Sequence, residues 1–232
     1  MFAIVIFLAI FAWAQNPPEP ADRVAAIKQA IAHNQAALKA YTWTETTQVS
    51  VKGEVKKIEQ KQCRYGPDGK VQKVPIPSTD AAQQTAAARG RGGRIKQAIV
   101  ENKVEDLKEY MERAAALVHE YVPPDAQKIQ AAVAAKGMSI QPDSADVATL
   151  TIKDYLKPGD TLALGFDSSA KQLRSYRVQS YIDKPTEDAL TLEVTFASLP
   201  DGTSYPQQTI LDVTARKVRV EITNSGYTKT GP

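Results

Sequence analysis

The sequence predicts an α+β fold: a strongly curved antiparallel sheet, an incomplete barrel, covered by an N-terminal helix and an inserted helix pair. Three observations lead there. From Val147 to Asn224 apolar side chains recur at every second position between repeated turn signals, the pattern of strands with one greasy face. A second group of strands with the same period starts at Tyr41, and between the two groups lies a stretch of helical periodicity from Ile95 to Gly137. The strands are also too many for a flat two-layer protein of this length, so the sheet has to curve round the helices.

The chain opens with the uncharged run Met1 to Ala14, which ends in Ala-Trp-Ala and is followed by Gln15-Asn16 and prolines. A bilayer span needs roughly 20 apolar residues, so this shorter run reads as a secretory signal peptide over 1–14 with cleavage after Ala14. The expected location is periplasmic or secreted. No Cys follows the run, so no lipid anchor is expected. The leader carries no charge, and the formal net charge of +3 belongs to the remainder. That bias is too small to argue for nucleic acid as a partner. Residues 15–232 suit a single domain with one core. The lone Cys63 has no disulfide partner, so packing has to supply stability.

Asp22 is a candidate N-cap for a helix running to Leu38, with Val24, Ile27, Ile31 and Leu38 along one stripe. His33 lies within it without a second ligand at metal spacing and reads as a helix-surface residue. From Tyr41 the period is two: Tyr41, Trp43, Thr47, Val49 and Val51 share one face, and Thr42, Thr44, Thr46, Gln48 and Ser50 the other. Glu45 interrupts the apolar face and is expected to be solvated near a wet opening. Lys52-Gly53 and Gly66-Pro67-Asp68-Gly69 are turns of a meander ending near Ile76. The meander is rich in lysine, as solvated strand edges often are.

Pro77 to Arg94 has no apolar period, and 77–94 is expected to be a flexible connector. Its Arg89-Gly90-Arg91-Gly92-Gly93-Arg94 run has neither interleaved aromatics nor a phosphate-loop pattern. Ile95, Ile99, Leu107, Met111, Ala114, Leu117, Val118 and Tyr121 then form a long helical stripe, stopped by Pro123-Pro124. A second helix through Ile129 and Ala132 closes at Gly137. Six strands follow, punctuated by turns at Lys157-Pro158-Gly159-Asp160, Ser168-Ser169, Lys184-Pro185 and Pro200-Asp201-Gly202. With the meander this makes about nine.

This order of leader, amphipathic helix, Trp- and Thr-rich meander, helix pair and long antiparallel run resembles the LolA-like periplasmic lipoprotein-carrier superfamily. It also resembles exported bacterial proteins of uncharacterised role with a similar ending, here Val194-Thr195-Phe196, Leu199 to Thr203, and Val220 to Tyr227. The resemblance implies an incomplete barrel, closed by helices, that holds acyl chains or other hydrophobic ligands. It transfers no functional residue.

Two functions remain open on the residues. In one, the concave face, made of Tyr41, Trp43, Val49, Leu162, Leu164, Phe166, Leu192, Val194 and Phe196, accepts a hydrophobic ligand or lipid under the helices. In the other, the same residues form a dry core, and the protein is a non-enzymatic envelope scaffold or sensor acting through another envelope protein. Peripheral contact with the membrane is compatible with either. No Ser-His-Asp order, metal spacing or G-x-S-x-G motif occurs, so no enzyme activity, cofactor or metal is expected.

Overall fold

Alternating side chains pair the strands of this protein into one ten-stranded antiparallel sheet, ordered β3-β2-β1-β10-β9-β8-β7-β6-β5-β4. The computed structural model describes residues 29, 32–77, 94–135 and 137–230. The proposed leader and nearly all of the connector lie outside them. Helical residues 32–38 (α1) lead into β1 (Tyr41–Val51), β2 (Glu54–Tyr65) and β3 (Val71–Pro75). Next come α2 (Arg94–Tyr121) and α3 (Ala126–Ala134). The long run comprises β4 (Met138–Pro142), β5 (Val147–Lys153), β6 (Thr161–Asp167), β7 (Gln172–Tyr181), β8 (Ala189–Ser198), β9 (Ser204–Val213) and β10 (Val218–Lys229). The sheet does not close into a barrel, because β3 and β4 are its two free edges.

Local chemistry sets the joints. Lys52 and Gly53 both have positive φ, 55° and 81°, which makes the two-residue turn whose twist matches a β-hairpin. At Gly226, with φ of 65°, the register between β1 and β10 shifts, and β10 runs on to Lys229 rather than ending near Thr223 as the sequence predicts. Asp125 caps α3 by accepting the Gln127 amide at 2.7 Å, and the Gly137 amide closes that helix onto the Ala132 carbonyl at 2.9 Å.

The core lies between α2, α3 and the β4 to β9 part of the sheet. Tyr110, Ala114 and Tyr121 form the buried stripe of α2, with half-buried Leu117 and Val118 between them. They and Ile129 of α3 meet Leu150, Ile152, Leu162, Leu164, Tyr176, Val178, Leu190 and Leu192 from the sheet. Leu162, Leu164, Val178 and Leu190 are completely removed from water.

Candidate functional site

Strand register places the helix-facing side chains in rows that cross the sheet. One row starts with Ile152, Leu162, Val178 and Leu192, all between 0% and 3% exposed. It continues through Leu211, Val220 and Val49, which are half-buried, and ends at exposed Lys57. The neighbouring row starts with buried Leu150, Leu164 and Tyr176. It continues through half-buried Val194, Thr209, Ile222 and Thr47 to Glu59. Val49, Val220 and Ile222 belong to neither packed cluster under the helices. The apolar face therefore runs two strands past the packing of α2, as a stripe about 14 Å across from β8 to β1.

An aromatic wall closes one end of the stripe. Trp43 stacks on Tyr227 with ring centres 5.5 Å apart and planes 9° from parallel, and Tyr65 and Tyr205 extend the group. The Trp43 Nε1–H donates to Asn224 Oδ1 at 3.1 Å, and Asn224 donates its own amide to the Pro206 carbonyl at 2.9 Å. Both groups are thus satisfied out of water. Burial pushes the Tyr227 hydroxyl well above its ordinary pKa. Tyr41 sits against this wall and donates to Asp201 at 2.5 Å. That bond, followed by Lys229, holds the Asp201 carboxyl well below the usual carboxylate range. From α1, Asn34 accepts the Ser204 amide at 2.9 Å.

The opposite flank is charged. Lys57 and Lys61 share Glu59, at 2.6 Å and 3.3 Å, and Lys57 is the first cause of the lowered Glu59 pKa. Glu45 pairs with Lys73 at 2.6 Å and is only 7% exposed, which corrects the expectation of a solvated carboxylate. The reason is β3: its pairing with β2 sets Lys73 opposite Cys63 and across the β1 carboxylate. Cys63 itself is fully buried, and burial first, then Glu45, pushes its thiol pKa up. It is held as the unreactive thiol rather than the thiolate.

A buried polar group holds the helices in place over the core. The Tyr121 hydroxyl donates to Asp160 Oδ2 at 2.5 Å and lies 2.8 Å from Ser180 Oγ. Asp160, 1% exposed, also accepts the amides of Tyr155, Leu156 and Lys157. The Tyr176 hydroxyl donates to the Tyr121 carbonyl, and Tyr155 accepts the Asp125 amide at 2.7 Å. Further along α2, Tyr110 donates to Asp188 at 3.2 Å, and burial pushes its pKa up to about 12.

The nine concave-face residues named from the sequence divide into three groups. Leu162, Leu164 and Leu192 lie in the closed core, with Phe166 half-buried against it. Tyr41 and Trp43 belong to the aromatic wall. Val49, Val194 and Phe196 lie on the half-buried stripe. Leu211, Val220 and Ile222 are not among the site residues expected from the sequence, although Val220 and Ile222 alternate with Arg219 and Glu221. The missing information was that β10 pairs with β1.

Two surface clefts contain none of the nine. One, of about 490 Å³, is lined by His33, Asn34, Lys171 and Gln172 among others; the second, of about 480 Å³, by Ser50, Asp212, Lys217 and Arg219 among others. Among the described residues no group of three His, Cys, Asp or Glu side chains could hold a metal, and no helix is long and apolar enough to cross a membrane.

No family model and no curated protein matches the sequence. Among solved structures, the chain is similar to a DUF1329 family protein from Desulfovibrio piger with a TM-score of 0.40 and 12% identity, covering 88% of this chain and 92% of that one. It is also similar to a LolA superfamily protein from Nitrosomonas europaea with a TM-score of 0.40 and 9% identity, covering 90% of this chain and 94% of that one. Both likenesses are remote and concern the overall fold alone.

Proposed function

We propose that this chain is an exported bacterial envelope protein that seats a hydrophobic ligand, an acyl chain or lipid, on the stripe of Val49, Val194, Phe196, Leu211, Val220 and Ile222. The observation that carries the reading is the continuation of the rows through half-buried Val220, Ile222 and Val49 beyond the packed clusters, next to Val194, Phe196 and Leu211, which are half-buried at the margin of the core. A ligand there completes the cover that α2 and α3 leave off. Each ~40 Å² of apolar surface it removes from water contributes about 1 kcal/mol before the costs of association. The aromatic wall at Trp43 and the charged flank at Lys57 and Glu59 bound the seat at an end and a side. Export rests on the Ala-Trp-Ala end of the leader.

A second reading, an envelope scaffold with a dry interior, is favoured by one observation: the space beneath the helices is filled, with Leu162, Leu164 and Val178 at 0% exposure. Titration with a fluorescent fatty acid separates the two. The seat predicts saturable binding by the wild type and an affinity about ten-fold weaker for Ile222→Asp, with folding retained because that position lies outside the packed clusters. Folded wild-type protein that binds no such probe overturns the carrier reading in favour of the scaffold.

A further inference from the structure

The large apolar side chains left in water are unevenly distributed. Of the six such residues among the described ones, Val55 at 52%, Ile58 at 57%, Val71 at 39% and Val74 at 59% exposure all belong to β2 and β3. The same two strands and their turn carry six basic residues, Lys56, Lys57, Lys61, Arg64, Lys70 and Lys73, against the three acidic residues Glu54, Glu59 and Asp68. That excess equals the formal net charge of +3 of the whole chain, so the remainder is balanced. β3 covers the outer edge of β2 only from Lys61 to Tyr65.

Lysines alone suffice to protect a sheet edge. They do not account for exposed Val55, Ile58 and Val74, which the register places opposite Ser50, Gln48 and Gln62 on the outer face. Apolar tips among flexible cations are the chemistry of a surface that meets anionic lipid: the tips enter the headgroup layer while lysine stems keep their charges at the phosphates. We infer that the β2 and β3 wing docks this protein on an anionic bilayer, through Val55, Ile58 and Val74 with Lys56, Arg64 and Lys70. This surface is separate from the apolar stripe and does not depend on the stripe holding a ligand. Because the stripe's rows end at Lys57 and Glu59 on β2, docking brings the open flank of the stripe to the lipid surface.

Vesicle co-sedimentation of the purified chain tests this, with neutral phosphatidylcholine vesicles compared with vesicles containing about 30% phosphatidylglycerol. The expected result is binding at least about ten-fold tighter to the anionic vesicles at ~50 mM NaCl, and a loss of about ten-fold on going to ~300 mM. The variant V55S/I58S/V74S, with each site more than half exposed, should keep the wild-type melting temperature and bind anionic vesicles about ten-fold more weakly. K56Q/R64Q/K70Q should lose the preference for anionic lipid. Ile222→Asp should bind vesicles as the wild type does, so failure of the ligand seat leaves this result standing. Equal binding to neutral vesicles, no binding to either, or vesicle binding lost in Ile222→Asp but kept in the triple serine variant overturns the inference. So does sedimentation showing a dimer that the triple serine variant abolishes while vesicles go unbound, because the wing would then fit a second copy of the chain.

Discussion

Replacing Tyr121 by Phe tests whether one buried hydroxyl fastens the helix pair to the sheet. The ring stays: it is completely buried and packs 5.7 Å from the centre of Tyr155, and Phe fills the same space. What is lost is the bond to Asp160 at 2.5 Å and the contact with Ser180 Oγ at 2.8 Å. A hydroxyl has one proton, which goes to the carboxylate, so Ser180 is the donor in the second contact. A hydrogen bond to a charged group contributes about 1.5–3 kcal/mol, and the three amides from Tyr155, Leu156 and Lys157 still hold Asp160 in the variant. The expected cost is therefore about 2 kcal/mol, or roughly a 30-fold smaller folding constant. Urea unfolding followed by circular dichroism reads it directly. Asp160→Asn measured alone and combined with Tyr121→Phe should show coupling of about 1 kcal/mol. A loss below about 0.5 kcal/mol for Tyr121→Phe would mean that apolar packing alone holds the C-terminal end of α2.

Asp167 accepts the Ala170 amide at 2.9 Å, Ser169 Oγ at 2.8 Å and the Arg174 guanidinium at 2.8 Å, and these hold its carboxyl well below the usual carboxylate range, the amide most of all. The folded pKa lies below the unfolded value of about 3.9, so this stabilisation is present above about pH 4 and lost as pH falls through the folded pKa. Asp167→Asn should lower the melting temperature most at about pH 7, and the gap to wild type should narrow steadily as the pH falls below about 4; a gap as large at about pH 2 as at about pH 7 contradicts the assignment. Leu162→Ala, at a fully buried site, should cost about 2–5 kcal/mol, whereas Val220→Ala on the half-buried stripe should cost below about 1 kcal/mol. Equal costs in urea unfolding would place Val220 in the packed core.

The strands and the helix pair are legible because each has a clean period: Leu190, Leu192, Val194 and Phe196 alternate over β8, and Ala114, Leu117, Val118 and Tyr121 return on one face of α2. β4 was missed, which is why ten strands stand where about nine were expected. It offers only Met138 and Ile140 at strand spacing before Pro142, too short a signal until β5 is known to lie beside it. The aromatic wall was half legible. Tyr41 and Trp43 stood out, but Tyr227 joins them through the Gly226 bulge and Tyr65 through β2, which are matters of register rather than period. Glu45 shows the same limit: its own strand cannot reveal that a lysine 28 residues later folds onto it. The turn around Asp160 is legible from Lys157-Pro158-Gly159, yet nothing local says that its carboxylate is buried against a tyrosine 39 residues earlier.

The first and last of the described strands lie side by side, β1 against β10, with Tyr41 opposite Lys229 and the Thr230 amide bonded to the Ala40 carbonyl at 2.8 Å. A chain made from its amino end therefore completes β1, β2 and β3 at the start of synthesis and the strand they dock on at the end. For nearly the whole of that interval the meander has to wait with the inner edge of β1 unpaired, the situation in which stray strand pairing and aggregation begin. Joining it to the rest closes the longest loop in the molecule, so this junction belongs among the late and slow events of folding. A ribosome stalled before Val218 would hold the C-terminal strands and helices able to associate among themselves, and an N-terminal meander with nowhere to go.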